Sequence, residues 1–371
     1  MSRTAPYRKI AEAIKETWLT AEAMPGERLP TERALESHFS VSRATISRAL
    51  AVLVAEGFIE TRRGSGAYVA ARPEPSDLQL IGFIAPRAAG KGEFQNPILH
   101  RIYNGIERRA GELGYQAIAA SAEYSVTHET ELIAQLRRLG AKGIIVYPTY
   151  LPKPRHEDAT DPLAQLGREF PLVLTDIGSE SWGHSMVVID NFRLCHDLTV
   201  RLLQQGRERI LFMHTKASGL HTSVLNRQRG WEAALQRAGK SIPASWRGWP
   251  ERLPVRVDGL SEGDVEQVAE QILALSPRPD AIITWDDPTA IPLIRALQSK
   301  GVAVPDEMIV AGFDNYEAGR YFSPAFPTTQ PDLVRMGEVA VDLLDETIRL
   351  KDTRPRTVML SAEVLWREEV S

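Results

Sequence analysis

The spacing of apolar residues divides the chain into a short helical region and a longer region where strands alternate with helices. In the first predicted helix the apolar residues recur at steps of three and four, the period of an amphipathic helix: Tyr7, Ile10, Ala11, Ile14 and Trp18. A second helix is predicted to begin after Thr31, a good N-cap, and to bury Leu35 and Phe39. A third is predicted to begin after Ser42, with an inward stripe of Ile46, Ala49, Leu50 and Leu53.

The outward face of the third predicted helix carries Arg43, Ala44, Thr45, Ser47 and Arg48. Two cations, two hydroxyls and little bulk allow such a face to enter a major groove and to contact phosphates and base edges. A solvated face is the alternative for any charged helix. The basic, glycine-tipped hairpin predicted over 58–69 favours DNA, because its turn can lie against a phosphate backbone. The stretch 29–66 therefore predicts a winged helix-turn-helix.

From residue 78 onwards, apolar strands alternate with amphipathic helices, as in parallel sheets wound with helices. Strands are predicted at 80–85, 116–120, 143–147, 171–177, 186–189 and 209–213, and another round of strands and helices within 265–309. Two consecutive α/β sets of similar size predict a bilobed protein with a cleft between the lobes. Ligands of such sheets bind beyond the carboxyl ends of the strands.

Aspartates stand at these predicted strand ends. Asp176 follows PLVLT, Asp190 follows MVVI, Asp286 and Asp287 follow AIITW, and Asp314 follows IVAGF. A carboxylate in a cleft loses solvation unless it is hydrogen-bonded, and the hydroxyls of a polyhydroxylated ligand would supply those bonds. A helix cap or turn is the alternative for each aspartate, and it is at least as good an explanation for Asp190 and Asp287.

Arginine and tryptophan side chains add to this predicted ligand site. Arg227 could form a structural ion pair, or its fork could hold a pair of sugar hydroxyls. Trp246, Trp249 and Trp285 could offer an apolar platform to a pyranose ring, and Trp285 is the best placed because Asp286 follows it directly. Burial in the core is the more common explanation for each tryptophan.

Charge and cysteine content restrict the function further. The net charge of -4 is unevenly distributed, since residues 1–72 hold eleven Lys and Arg against eight Asp and Glu, and the remainder holds 33 against 40. The basic excess thus lies in the predicted DNA-binding region, as attraction to phosphate requires. The single cysteine, Cys195, excludes an intrachain disulfide and is predicted to be a buried small hydrophobe.

Motifs for membrane insertion and for common enzymatic chemistries are missing from the sequence. No apolar run approaches a membrane span and the N-terminus lacks a signal peptide's apolar core, so we expect a cytoplasmic protein. The sequence contains no P-loop, dinucleotide fingerprint, GxSxG elbow or HExxH motif. We therefore expect no catalytic residues, no metal site and no cofactor.

The run PGERLPTERALESHFSVSRATISRALAVLVAEGFIETRRGSGAYV resembles the N-terminal domain of the GntR family of bacterial transcription regulators. The resemblance implies DNA contacts by Arg33 on the second helix, by Ser42, Arg43 and Thr45 on the recognition helix, and by Gly64 in the wing. Arg48 and Arg63 join this predicted set through their positions on the outer helix face and in the turn. Some members carry an arginine where this chain has Ser47, so the preferred operator sequence stays open.

Segments of the longer region resemble the effector-binding core of the LacI/GalR family, which shares its fold with periplasmic sugar-binding proteins. These segments include RQRGWEAAL, PDAIITWDDPTAI, GVAVPDEMIVAGFDN and SPAFPTTQPDLVRMGEVAVDLL. The resemblance implies effector contacts by Asp176, Arg227, Asp286 and Asp314, with Phe94 as a possible stacking residue in the first loop. Asp286 stands where the family more often has Asn, which leaves the polar pattern of the ligand open.

Together the two resemblances predict an α/β fold class with a winged helix-turn-helix over 1–70, a linker over 71–78 and a bilobed periplasmic-binding-protein-like domain over 79–371. The expected lobes are 79–183 with 330–350, and 184–329 with 351–371. This order of parts resembles that of the arabinose repressors and related sugar regulators. The linker, with Pro73 and Pro75, shows no pattern for the short hinge helix found in LacI relatives.

The leading hypothesis is a homodimeric transcription regulator, most simply a repressor, that binds an inverted-repeat operator in double-stranded DNA. A small effector, expected to be a sugar, would enter the cleft and change the operator affinity. Two alternatives remain open from the sequence. One is a sugar-processing enzyme with a regulatory DNA-binding domain, in which Asp176 and the Asp286-Asp287 pair act as paired carboxylates. The other is a dimeric DNA-binding protein that responds to no ligand.

Overall fold

The structure is a computed structural model of the 371-residue chain, and it falls into two compact units, Met1–Leu78 and Gln79–Ser371. The residues that it describes are 6–19, 26–55, 58–62, 65–69, 79–86, 96–149, 162–166, 169–178, 182–214, 222–246 and 262–367. The predicted linker, Arg63, Gly64, Phe94 and Trp249 lie outside these ranges. Each unit is taken by itself below.

In its described residues, the first unit holds three helices and a hairpin. In chain order they are α1 (Pro6–Trp18), α2 (Glu32–Phe39), α3 (Arg43–Ala55), β1 (Ile59–Arg62) and β2 (Gly66–Val69). The strands of the hairpin are antiparallel. The predicted inward stripes form the core, since Ile14, Leu35, Ile46 and Leu53 are completely buried. Phe39 is only half-buried at the edge of this core.

The second unit contains a six-stranded parallel sheet. Across the sheet the strands are β4 (Gln116–Ser121), β3 (Leu80–Ala85), β5 (Gly143–Val146), β6 (Leu172–Thr175), β7 (Ser185–Ile189) and β12 (Thr357–Leu360). Its helices are α4 (Pro97–Glu112), α5 (Val126–Arg138), α6 (Pro162–Gln165) and α12 (Leu333–Leu350). Because strand side chains alternate, Phe83 packs beneath α4 and α12 and Ile84 packs in the core that includes α5. Both faces of the sheet are therefore covered.

A second parallel sheet, of three strands, repeats this design. Its strands are β10 (Ile309–Ala311), β9 (Ala281–Ile283) and β8 (Ile210–Phe212), with β9 in the centre. Its helices are α7 (Asn191–Gln204), α8 (Thr222–Arg237), α9 (Glu262–Leu273), α10 (Asp287–Ser299) and the short α11 (Glu317–Arg320). One face packs on α7 and α8 and the other on α9 and α10. The predicted α/β fold class with two doubly wound parallel sheets is confirmed.

The chain passes between the two sheets three times. It leaves the six-stranded sheet after β7, returns through β11 (Thr328–Pro331) into α12, and crosses again between β12 and β13 (Ala362–Leu365). Strands β11 and β13 pair antiparallel at these crossings.

These crossings correct the predicted division into lobes. Residues 184–189 and 351–360 were expected in the second lobe, but β7 and β12 are neighbours in the first sheet. The reason is that β7 pairs with β6, and β12 pairs in turn with β7. The prediction instead divided the chain at the loop before β7.

Smaller sequence predictions in the second unit can also be compared with the structure. Cys195 is completely buried, as predicted, and burial raises the pKa of its thiol to about 12. Asp190 is the N-cap of α7, because its Oδ1 accepts a hydrogen bond from the Arg193 backbone N–H at 2.9 Å. Asp190 therefore caps a helix, which is the alternative to ligand binding that the sequence left open for it.

Glycines let pairs of helices approach backbone to backbone. A Cβ atom at Gly105 of α4 would lie 2.0 Å from the Val334 carbonyl oxygen of α12, and one at Gly337 would meet the backbone of α4 in the same way. On α8, a Cβ at Gly230 would lie 2.1 Å from the Phe192 carbonyl oxygen of α7. Any side chain at these three positions would have to separate the helices.

We expect Gly105→Ala to destabilise the second unit by about 1–3 kcal/mol, because the added methyl group cannot fit without displacing α12. Gly111→Ala on the same helix is the matched control, since a Cβ there would meet nothing within 4 Å. The control should be neutral or slightly stabilising, as alanine favours helix more than glycine does. Urea denaturation of both variants measures the difference, and equal stabilities would contradict the close approach.

Candidate functional site

Local hydrogen bonds fix the two helices of the helix-turn-helix. The Thr31 hydroxyl accepts a hydrogen bond from the Ala34 backbone N–H at 3.3 Å and begins α2. Ser40 ends α2 in the left-handed conformation, with φ of 52°. The Ser42 hydroxyl then accepts a hydrogen bond from the Thr45 backbone N–H at 3.4 Å at the start of α3. These caps set the turn between the helices.

The outward face of α3 is exposed, as predicted. Ser42, Arg43 and Arg48 are exposed, together with the small Ala44 and Ser47 between them, and Thr45 is half-buried. Arg33 on α2 is exposed as well. The Arg43 guanidinium lies 3.0 Å from a Glu32 carboxylate oxygen, and this exposed ion pair is weak enough to be given up to a phosphate.

The hairpin brings one further arginine to the wing. Arg28 forms a β-bridge with Tyr68, and its guanidinium lies 3.4 Å from where a Cβ of Gly66 would stand. The Tyr68 hydroxyl lies 2.5 Å from the Ser65 hydroxyl. Sequence reasoning missed Arg28 because its place beside the wing depends on a pairing between residues forty positions apart in the chain. Arg63 and Gly64 fall outside the residues that the structure describes.

In the second unit, the predicted aspartates do converge at the carboxyl ends of the strands. Asp176 follows β6 of the six-stranded sheet, while Asp286 and Asp314 follow β9 and β10 of the three-stranded sheet. Arg227 on α8 interacts electrostatically with all three carboxylates. These four residues are called the cleft cluster below.

Arg227 is the buried centre of the cleft cluster, with only 8% of its surface exposed. Its Nε donates to Asn191 Oδ1 at 2.8 Å, its Nη1 donates to the Trp285 carbonyl oxygen at 2.8 Å, and its Nη2 donates to Asp314 Oδ1 at 3.3 Å. The guanidinium also stacks over the Phe313 ring, 4.1 Å from its centroid. These contacts use three of its five N–H groups, and a guanidinium that is buried requires such acceptors.

The three carboxylates are held in different ways. Asp176 Oδ2 accepts a hydrogen bond from the Tyr147 hydroxyl at 2.9 Å. Asp286 is the N-cap of α10, because its Oδ1 accepts from the Thr289 backbone N–H at 2.9 Å. Asp314 pairs with Arg227. Asp176 and Asp314 have φ angles of 62° and 77°, in the left-handed region that a non-glycine residue adopts only under surrounding constraint.

Burial disfavours the charged forms of these groups. Desolvation raises the pKa of Asp176 and of Asp314 despite the attraction of Arg227, and it raises the pKa of Asp286 to about 6. The pKa of the Tyr147 hydroxyl is raised by desolvation and by nearby Asp176, and that of Tyr316 by desolvation and by nearby Asp286. The cleft therefore gathers three carboxyl groups that ionise less readily than they would in water.

Asp287 has a different role from its neighbour Asp286. It is completely buried, its Oδ1 accepts from the Thr328 hydroxyl at 2.5 Å, and its Oδ2 accepts from the Tyr316 backbone N–H at 2.9 Å. Arg367 donates to the Gly319 carbonyl oxygen of α11, the helix that follows this loop. Asp287 thus fixes the loop after β10 to the crossing strand β11, which goes beyond the cap or turn expected from the sequence.

Arg101 of α4 reaches the loop that carries Asp314. Its Nη1 donates to the Asp314 carbonyl oxygen at 3.4 Å and its Nη2 donates to the Asn315 carbonyl oxygen at 3.1 Å. These bonds join a helix of the first lobe to a loop of the second. Sequence reasoning missed Arg101, Tyr147, Asn191 and Tyr316. Two of them had a signal in the sequence. Tyr147 is the last residue of the predicted strand 143–147, and Asn191 lies two residues after the predicted strand 186–189.

Trp246 and Trp285 both pack against the hydrophobic core. Trp246 is buried and its Nε1 donates to the Pro277 carbonyl oxygen at 3.2 Å, so the core explanation holds for it. Trp285 is half-buried, and its carbonyl oxygen accepts from Arg227.

Within the described ranges, no group of three or more His, Cys, Asp or Glu side chains is placed to hold a metal ion. No helix in those ranges is long and apolar enough to cross a membrane.

Two parts of the chain match known protein families. Residues 6–69 match the family of bacterial regulatory proteins called gntR, and residues 199–368 match the periplasmic binding protein-like domain. Both resemblances expected from the sequence are thereby confirmed.

Relatives and solved structures of the same kind cover most of the chain. An arabinose metabolism transcriptional repressor from Geobacillus stearothermophilus is 24% identical over 381 residues, covering 99% of this chain and 97% of the relative. The transcriptional repressor PurR from Photobacterium profundum is 26% identical over 282 residues, covering 74% and 78%. The cellobiose complex of the transcriptional regulator CelR has a TM-score of 0.65 at 19% identity, covering 92% and 99%. CcpA of Lactococcus lactis has a TM-score of 0.64 at 20% identity, covering 78% and 98%. The two structural likenesses show a shared fold.

We expect Asp287→Asn to gain stability relative to the unmodified protein as the pH rises from about 4 to about 7. Burial raises the pKa of Asp287 from 3.8 to about 7. The native carboxyl therefore keeps its proton after the unfolded one has lost it, and this lowers stability over that interval by up to about 4 kcal/mol. An amide does not titrate and escapes this loss. Denaturant unfolding at both ends of the interval measures the effect, and the same pH dependence in both proteins would contradict it.

Proposed function

From a chain that joins a gntR-family regulatory domain to a periplasmic binding protein-like domain, we propose a transcriptional repressor that is controlled by a sugar bound at the cleft cluster. The observation that carries the proposal is the presence of two features in one chain. One is an exposed, arginine-bearing face on α3, and the other is a buried polar cluster at the strand ends of two sheets. Two relatives, one that matches nearly the whole chain and one that matches about three quarters of it, are named as transcriptional repressors.

The proposed DNA contacts follow from the exposure of the first unit. Ser42, Arg43, Thr45 and Arg48 on α3 would enter the major groove, with Arg33 on the phosphate backbone. Arg63 and Gly64 would contact DNA from the wing, where Arg28 adds a further cation. Because α3 carries small residues between its arginines, the backbone can approach the base edges closely.

The proposed assembly is a homodimer on an inverted-repeat operator, because two recognition helices related by a two-fold axis read a palindrome. Since its target would be chromosomal DNA, we place the protein in the cytoplasm. The proposed effector contacts are Asp176, Arg227, Trp285, Asp286 and Asp314, with Phe94 from the first loop. Sugar binding would lower operator affinity, and linkage then requires the operator to weaken sugar binding by the same factor.

The enzyme alternative loses its main support from the contacts of Asp287. Both of its carboxylate oxygens accept hydrogen bonds inside the protein, so Asp286 and Asp287 do not form an accessible carboxylate pair. Asp286 is itself engaged in capping α10. We therefore propose no catalytic role, and turnover of a sugar by the purified protein would reverse this conclusion.

Operator binding is expected for the upstream region of the protein's own gene, and Arg48→Ala should weaken it about tenfold. Fluorescence anisotropy at several salt concentrations measures both the affinity and the number of phosphate contacts. Arg138→Ala on α5 removes the same charge from an exposed site in the second unit and should leave binding unchanged. If the unmodified protein showed no specific binding to this DNA, either with or without sugars, the proposal would be refuted.

Arg227→Ala is expected to abolish the response to sugar while operator binding stays intact. The substitution removes a proposed effector contact and leaves Asn191, the Trp285 carbonyl and Asp314 without their shared donor. Arg229→Ala, at an exposed position on the same helix, serves as the control and should respond normally. Loss of operator binding together with the sugar response would instead assign Arg227 a purely structural role.

A further inference from the structure

The charges of the cleft cluster are unbalanced. Asp176, Asp286 and Asp314 contribute three carboxyl groups against the single guanidinium of Arg227, and Asp314 raises the pKa of both other carboxyls. Tyr147 and Tyr316, which border the same space, add hydroxyls and no positive charge. A ligand in this space therefore meets excess negative charge.

The two arginines that contact the cluster both donate to protein acceptors. Each of the three nitrogens of Arg227 donates to a protein oxygen, on Asn191, Trp285 and Asp314. Arg101 donates to two backbone carbonyl oxygens of the loop after β10. Two of the five N–H groups of Arg227 are left for a ligand, and this single guanidinium faces three carboxyl groups.

Acceptors are also left open. Asp176 uses Oδ2 for the Tyr147 hydroxyl, and Asp314 uses Oδ1 for Arg227. Across the ranges that the structure describes, the other oxygen of each carboxylate accepts no hydrogen bond. Trp285, whose carbonyl oxygen accepts from Arg227, is half-buried, and an aromatic face can pack on the C–H face of a sugar ring. Hydroxyl groups are the donors that such acceptors bind.

Resting on the proposed function, we infer that the cleft selects an uncharged, hydroxyl-rich sugar and rejects sugar acids and sugar phosphates. Two hydroxyls of the ligand donate to the open oxygens of Asp176 and Asp314. An anionic substituent on the same ring is repelled by the three carboxylates, and like charges placed together are a strong means of rejecting a wrong ligand. The carboxylates thus both bind the sugar and exclude its anionic derivatives.

A matched ligand series tests this inference on the full-length protein. For each common pentose and hexose and for cellobiose, the series contains the neutral sugar, its sugar acid and its phosphate ester. Thermal unfolding first identifies ligands, because specific binding raises the melting temperature, and calorimetry then gives each Kd. The measurement is made at about pH 8, above the pKa of about 6 of the Asp286 carboxyl. We expect a neutral sugar to bind at least about 100-fold more tightly than its acid or phosphate.

Asp176→Asn tests whether charge is the cause. Asparagine tolerates the left-handed conformation at this position and keeps an oxygen for the Tyr147 hydroxyl, so the variant removes a charge with little change of shape. The preference for the neutral sugar over its acid should fall about tenfold. Asp190→Asn, a matched control at the cap of α7, should leave the preference unchanged.

The outcomes separate this inference from the proposed function. Tighter binding of an acid or a phosphate, no binding by any member of the series, or an unchanged preference in Asp176→Asn would each overturn the inference. Operator binding is measured independently by fluorescence anisotropy. If a sugar phosphate bound and released the operator, the repressor proposal would stand and the selection of an uncharged sugar would be wrong.

Discussion

A guanidinium that is removed from water has to be surrounded by acceptors, and in this protein those acceptors come from separate parts of the fold. Asn191 follows the last strand before the first crossing, the Trp285 carbonyl follows β9, and Asp314 follows β10. Arg227 therefore joins the strand ends of two different sheets through one side chain. The positions of the cleft aspartates, and hence the shape of the ligand site, depend on this buried cation.

The crossings explain why the two sheets cannot be separate folding modules. The six-stranded sheet is completed only by β12, whose residues lie beyond the entire second sheet in sequence. The antiparallel pair of β11 and β13 closes the connection, and Asp287 anchors it to the loop after β10 through Thr328. The cleft lies where this connection holds the lobes together. A change in the angle between the lobes would thus displace the ligand-binding side chains directly.

Local sequence patterns predicted the order of helices and strands, because apolar periodicity and capping residues act within a few positions of one another. The exposed face of α3 and the buried stripe beneath it followed from the same reasoning. What local patterns could not predict was pairing across the chain. They placed β7 and β12 in the wrong lobe, did not find Arg28 beside the wing or Arg101 beside Asp314, and could not distinguish the capping role of Asp286 from the network of Asp287. The cleft aspartates were identified because parallel strands bring their carboxyl ends to one edge, which is a property of the fold class.

The close approach of α4 to α12, and of α8 to α7, has a mechanical consequence. Where two backbones touch through Gly105, Gly337 and Gly230, no side-chain rotamer can change to absorb a displacement. Each helix pair must therefore move as one stiff body with the sheet that it covers. Any change in the angle between the lobes then has to be taken up in the three short crossings, because the helix pairs on either side of them cannot yield.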